Sequence, residues 1–216
     1  NRACLVRAVS LMSGQYGIDQ FIDLGSGLPT ANNVHQVAQR TRPDTKVVYV
    51  DNDPIVLAHG RALLAENDNT TVIQADLRQP DEILGQPEVQ DMIDFDRPIG
   101  IIASAILHHF LDEENPDQAI RQFRDVASAG SFLFVSHFRT LGDEKSRELE
   151  SVMQEAFGRG AWRTTEQIAG YFGDLTLLDP GVVECALWRP DKPADEASLS
   201  DWQRLIAAGL GVKPPV

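Results

Sequence analysis

"FIDLGSGLPT", residues 21–30, carries a short apolar run through an acid into two glycines one residue apart, and stops at a proline. An apolar run bounded by glycines reads as a buried strand of a parallel sheet, with the glycine pair forming the turn after it. Ahead of this strand (20–24), Leu5, Val6, Val9 and Met12 share one helical stripe that ends at Gly14 and Gly17. Behind it, Pro29 suits a first helical turn, and Val34, Val37 and Ala38 follow at helical spacing.

The alternation then repeats. "KVVYVD" (46–51) is a second strand, "DPIVLAHGRALL" (53–64) a helix capped by Asp53, and "TTVIQAD" (70–76) a third strand. Beyond a looser, proline-containing segment at 79–96, "RPIGIIASAI" (97–106) is a fourth strand. Residues 116–130 form a helix and "SFLFVSHF" (131–138) a fifth strand. Residues 143–157 are helical, and Thr164 with Gln167 opens one more helix through a capping box. "DLTLLDPGVVECALWRP" (174–190) reads as two strands around Pro180-Gly181. Such alternation specifies an α/β fold: a doubly wound, seven-stranded, mostly parallel sheet with a C-terminal antiparallel hairpin. One domain is expected over 1–190. Residues 191–216, including an amphipathic piece at 202–210, are expected as a loosely attached appendage.

Composition narrows the partners. The 216 residues are 43% apolar and 24% charged, which is globular and not disordered. Lys and Arg number 19 against 32 for Asp and Glu, a net charge of −13. Phosphate contacts need clustered cations, so neither nucleic acid nor an anionic membrane is an expected partner. Cys4 and Cys185 have no metal-ligand spacing and give no disulfide framework, which fits a reducing, cytoplasmic setting. No apolar stretch reaches the length of a membrane span. The chain begins at Asn1-Arg2, already inside an apolar-periodic segment, so a truncated or processed N-terminus is expected. No metal site is expected: the pair His108-His109 has no acid at helical spacing, although Asp112 and Glu113 follow shortly.

In a doubly wound sheet the ligand lies at the carboxyl ends of the strands, where strand order reverses. Gly25 and Gly27 sit there, although an ordinary strand–helix turn would also need a glycine. A nicotinamide dinucleotide would want a glycine where Thr30 stands, and no acid beside its pyrophosphate. Asp23 has the wrong charge for that ligand. It suits a ligand with a cationic amino-acid end and no phosphate, and S-adenosylmethionine is such a molecule. Asp23 would face its ammonium, directly or through water. Asp51, ending the second strand, is placed to accept from both ribose hydroxyls. Asp76, ending the third, is placed to accept from the adenine amino group while the Leu77 amide reaches a ring nitrogen. Each acid alone could be a surface strand end; three at the ends of three successive strands point to one ligand. Ser26, Asn52 and Ser104 complete the expected cofactor set.

The series DLGSG, VYVD and QADL, followed by an apolar fourth strand and a final hairpin, resembles the class I S-adenosylmethionine-dependent methyltransferases. More narrowly, "FIDLGSGLPTANNVHQVAQ", "VVYVDNDPIVLAHGRALL" and "PGVVECALWRP" resemble an actinobacterial family called S-adenosyl methyltransferase, formerly a domain of unknown function. The likeness runs from about residue 1 to residue 190. Pro29 stands at the third glycine of the general class motif. The resemblance implies methyl transfer from S-adenosylmethionine, here to an expected small-molecule acceptor. A base is needed only if that acceptor must lose a proton. "SAILHHF" (104–110) follows the fourth strand, whose end faces the methyl group in this fold, so His108 and His109 are the candidate bases. One of them could instead pack inward. His137 could line the acceptor pocket, whereas His35 and His59 read as structural. Two alternatives stay open: a non-catalytic S-adenosylmethionine-binding sensor or partner subunit, and a nicotinamide oxidoreductase disfavoured by Asp23, Thr30 and Asp76.

Overall fold

Five of the apolar runs form five parallel strands, each joined to the next across helical segments. The computed structural model describes residues 1–64 and 67–215. Helix α1 (Arg2–Gly14) leads into β1 (Gln20–Leu24), followed by α2 (Val34–Gln39), β2 (Lys46–Asp51), α3 (Pro54–Leu64) and β3 (Thr70–Gln74). The segment expected to be loose holds two short helices, α4 (Pro80–Leu84) and α5 (Pro87–Met92). Each starts on a proline, whose fixed φ and missing N–H suit a first turn. Next come β4 (Gly100–Ser104), α6 (Pro116–Val126) and β5 (Phe132–Phe138). Asp143 caps α7 (Glu144–Phe157) by accepting from the Ser146 amide at 2.7 Å. Thr164 and Gln167 form the expected capping box of α8 (Thr165–Gly170). The chain then runs through β6 (Thr176–Leu177), β7 (Val183–Glu184), α9 (Asp201–Arg204) and β8 (Ile206–Val212).

Among the described residues the sheet has eight strands in the order β3-β2-β1-β4-β5-β8-β6, with β7 also paired to β8. β1 pairs in parallel with both β2 and β4, so the strand order reverses beside the glycine turn. The expected antiparallel C-terminal part is present, but its innermost strand comes from elsewhere. β8 runs antiparallel to β5 from Phe132↔Val212 to Phe138↔Ile206. β6 and β7 each pair with β8. Residues 206–212, expected within a loose appendage, are therefore an inner strand of the sheet.

The reason is spatial. A Cβ on Gly209 would lie 3.0 Å from the Phe172 ring, and one on Gly211 would lie 2.8 Å from it. Two glycines thus let Phe172 lie flat on the strand, while the edge of β5 supplies the hydrogen bonds that a free tail would lack.

Alternation along the strands divides the core between two faces. Ile22, Val48, Ile101 and Leu133 meet Ile83 of α4, Phe123 of α6 and Phe172 after α8 on one face. Phe21, Val47, Ile102 and Phe134 meet Val9 and Met12 of α1, Val37 of α2 and Trp188 on the other. Full burial of such a side chain contributes about 1.5–3 kcal/mol. The strand ends that carry the site therefore project from a close-packed floor.

Candidate functional site

β1 ends in a turn built on two left-handed residues, Gly25 at φ +67° and Gly27 at +64°. The amides of Gly25 and Ser26 donate to the Val50 carbonyl at 2.8 and 3.2 Å, pinning the turn to the end of β2. A Cβ on Gly25 would sit 2.3 Å from the Ile106 side chain, so the segment after β4 closes directly on this glycine. A Cβ on Gly27 would meet nothing within 4 Å, because that face opens on a cleft. Asp51 ties the turn from the other side. Its Oδ2 accepts from the Gly27 amide at 2.8 Å and its Oδ1 from the Asp53 amide at 3.0 Å. Asp53 caps α3 as expected, accepting from the Ile55 amide at 2.8 Å.

The cleft measures about 520 Å³, and Gly25, Gly27, Asp51, Asn52, Asp76 and Leu77 all line it. A narrow cavity of about 30 Å³ shares Gly27 and Val56 with it and takes in Asp23 and Ser26, along with Arg2, His35 and Tyr49. His35 is buried there, its Nδ1 2.8 Å from the Tyr49 hydroxyl, in keeping with a structural role. Asp23 is 6% exposed, and no described residue donates a hydrogen bond to its carboxylate. Burial pushes its pKa up to about 7, opposed by the charge of Arg2 and reinforced by that of Asp51. Such a group calls for a cation. The donor-less acid, beside a glycine whose missing side chain leaves room, fits the ammonium end of S-adenosylmethionine. Ser104 lines neither cavity. Its Oγ accepts from Asn1 Nδ2 at 3.2 Å and lies 3.3 Å from Ser136 Oγ.

Asp76 follows β3 and is gripped by Arg78. The Arg78 amide and Nε donate to Oδ1, each at 2.9 Å, and Nη2 donates to Oδ2 at 2.5 Å. These bonds hold the Asp76 carboxyl below the usual carboxylate range. Nε also reaches Oδ2 at 3.0 Å, so Arg78 makes four hydrogen bonds to this carboxylate. Arg78 Nη1 reaches Glu114 Oε1 at 3.0 Å, and Arg159 Nη2 pairs with Glu114 Oε2. The Arg159 and Leu111 bonds hold the Glu114 carboxyl down to about 2. A chain of alternating charges, Asp76–Arg78–Glu114–Arg159, thus runs along the cleft wall. Arg78 stands two residues from Asp76 and was open to notice. Glu114 and Arg159 carry no sequence signal, since only the fold brings them together.

The segment after β4 turns through Ala105, held at φ +55° by bonds from its amide to the carbonyl and hydroxyl of Ser136. A left-handed alanine is strained, and the two histidines that follow it lie with ring centroids 4.2 Å apart. His109 lines the cleft. Burial and the charge of Arg159 hold its pKa below the ordinary histidine value. His108 lines neither cavity; its ring packs at 4.8 Å from Phe138 and 5.8 Å from His137. Burial takes its pKa down to about 2. The expectation of a base therefore rests on His109, and His108 is a core residue. His137, expected at the acceptor pocket, is also fully buried, stacked on Tyr171 with its Nδ1 2.5 Å from the Phe138 carbonyl. Both point inward because strand alternation sends His137 to the core face of β5, under the turn that carries His108.

A parallel sheet that takes its ligand at the order reversal and finishes on antiparallel strands is the architecture of class I S-adenosylmethionine-dependent methyltransferases. Comparison with known proteins narrows this to a family. The chain belongs to the S-adenosyl methyltransferase family, whose model matches residues 1–214. A protein of Thermobifida fusca YX, provisionally assigned as a methyltransferase, is 47% identical with a TM-score of 0.95, over 99% of this chain and 80% of that one. A DUF574 family protein of Streptomyces avermitilis MA-4680 is 33% identical with a TM-score of 0.90, over 99% and 82%. The N-methyltransferase NodS of Bradyrhizobium japonicum WM9, solved with S-adenosyl-L-homocysteine, is 14% identical and shares the fold alone, with a TM-score of 0.58 over 99% and 85%. No curated protein matches the chain. Among the described residues no helix is long and apolar enough to cross a membrane.

Proposed function

We propose that this methyltransferase acts on a small-molecule acceptor that enters the cleft at its His109–Arg159 end. When bound, S-adenosylmethionine supplies an electrophilic methyl group on a sulfonium. Asp51 would hold the ribose hydroxyls, Asp76 and Leu77 the adenine, Asp23 the ammonium, and the Gly25-Ser26-Gly27 turn the chain between them. Displacement at carbon needs alignment and exclusion of water more than acid–base help, and the packed strand ends provide the alignment. A cleft of about 520 Å³ is of the size that takes small ligands, and the arginines that line it, Arg78 and Arg159, are paired with Asp76 and Glu114.

The observation that carries this reading is His109. Its imidazole lines the cleft between Ile106 and Phe110 and is kept neutral by burial and by Arg159. A neutral imidazole takes the proton from an acceptor hydroxyl or ammonium as the new bond forms. His109→Gln is expected to slow formation of S-adenosylhomocysteine by roughly 10²–10⁴ with a proton-bearing acceptor. Calorimetric affinity for S-adenosylmethionine should stay within about twofold, because the interaction lost belongs to the transition state. An unchanged rate removes His109 from the chemistry. Cofactor binding without turnover on any pool of small metabolites favours the sensor or partner subunit.

A further inference from the structure

Two opposite charges share the narrow cavity beside the glycine turn without meeting. Asp23 is buried within it, whereas Arg2, from the first turn of α1, is exposed. They are near enough for the charge of Arg2 to act on Asp23, yet they form no ion pair, and no described residue hydrogen-bonds either side chain. Arg7, further along the same helix, shows the contrast: it donates to the backbone carbonyls of Trp188 and Cys185. The place of Arg2 is nevertheless fixed. The Asn1 side chain donates to Ser104 Oγ at 3.2 Å and accepts from Ser136 Oγ at 2.8 Å. These bonds anchor the start of α1 over β4 and β5, and Asp23 pairs across to Ile102 of β4.

Size narrows what can sit between the two charges. A cavity of about 30 Å³ takes one or two water-sized groups, such as an ammonium, and no ring. In an α-amino acid the ammonium and the carboxylate leave the same carbon. With the ammonium against Asp23, the carboxylate is left at the mouth, where a guanidinium matches it with a two-pronged fork.

We infer that Arg2 binds the α-carboxylate of the cofactor while Asp23 binds its ammonium, so that the pair reads a zwitterion. The inference rests on the cofactor placement proposed above. It makes α1 a binding element of the site, tying the first turn of the helix to the cofactor's amino-acid end.

Decarboxylated S-adenosylmethionine keeps the adenosine, the sulfonium and the ammonium and lacks only the carboxylate, so it isolates this contact. By titration calorimetry the parent chain is expected to prefer S-adenosylmethionine over the decarboxylated form by roughly 10–100-fold. Arg2→Met should abolish that preference by weakening S-adenosylmethionine alone, with Arg2→Lys in between. If Arg2→Met weakens both compounds equally, or leaves the preference intact, Arg2 does not bind the carboxylate. A loss of thermal stability with unchanged preference would make it a structural partner of Asp23 and overturn the assignment. If the parent chain binds neither S-adenosylmethionine nor S-adenosylhomocysteine, the cofactor placement falls as well, which separates the two failures.

Discussion

At the scale of single residues, Asp23 is a carboxylate waiting for a positive charge. Its pKa of about 7 in the folded chain lies well above the unfolded value of about 3.9. Between those values the folded chain binds more protons than the unfolded one. The stability it contributes is therefore present below the unfolded value and lost as pH rises through about 7. Binding of an ammonium demands the charged form, so below about pH 7 association must release a proton. Calorimetry is expected to show S-adenosylmethionine affinity rising from about pH 6 to about pH 8, with proton release shrinking over the same interval. Asp23→Asn should flatten both trends. Binding by the parent chain that ignores pH would take Asp23 out of the site. The strand-end position of Asp23 was legible because a strand's end follows from its own residues. The approach of Arg2 was not, since it depends on how α1 lies across three strands.

At the scale of elements, the tail shows how local preference yields to an available edge. Ala207, Ala208 and Leu210 are helix formers, and read alone the segment looks amphipathic. β5 nonetheless offers seven residues of strand edge, and Gly209 and Gly211 remove the side chains that would keep Phe172 off the new strand. Gly211→Val is the decisive substitution. Valine favours strand backbone, so a propensity argument predicts stabilisation. The structure predicts the reverse: its Cβ would lie 2.8 Å from Phe172 and 3.1 Å from Leu175. Chemical denaturation should show a loss of about 1–3 kcal/mol from overpacking. A gain would mean that β8 is held loosely enough to shift aside. The parallel strands, by contrast, were legible to within a few residues, because apolar runs between turn residues leave little choice.

Across the whole molecule, the strand-end rule brings Asp23, Asp51 and Asp76 to the carboxyl end of the sheet, and that grouping was readable from sequence. The rest of the cleft wall was not, because Glu114 and Arg159 meet only once α6 and α7 have packed. The same global packing leaves two imidazoles inside. His108 and His137 have pKa values of about 2 and about 4, both depressed by burial, against about 6.5 when unfolded. His109 and Arg163, facing them, push in the same direction. Between those values the unfolded chain binds more protons, so stability is complete above about pH 6.5 and is lost as pH falls. His137→Phe keeps an aromatic ring against Tyr171 and removes one titration. The parent chain should lose more stability than this variant between about pH 7.5 and about pH 5 in urea melts. Parallel losses would show that His137 titrates as it does in the unfolded chain.

β8 is the last strand in chain order, yet it lies inside the sheet against β5. A ribosome therefore delivers every other described strand of the sheet before the one that covers that edge. Until residues 206–212 emerge, the nascent chain presents Phe132–Phe138 as a bare apolar ribbon, the kind of surface that pairs with strangers. The five parallel strands can assemble before that, but the β5 edge is covered only when β8 emerges, and chaperones have that interval in which to act.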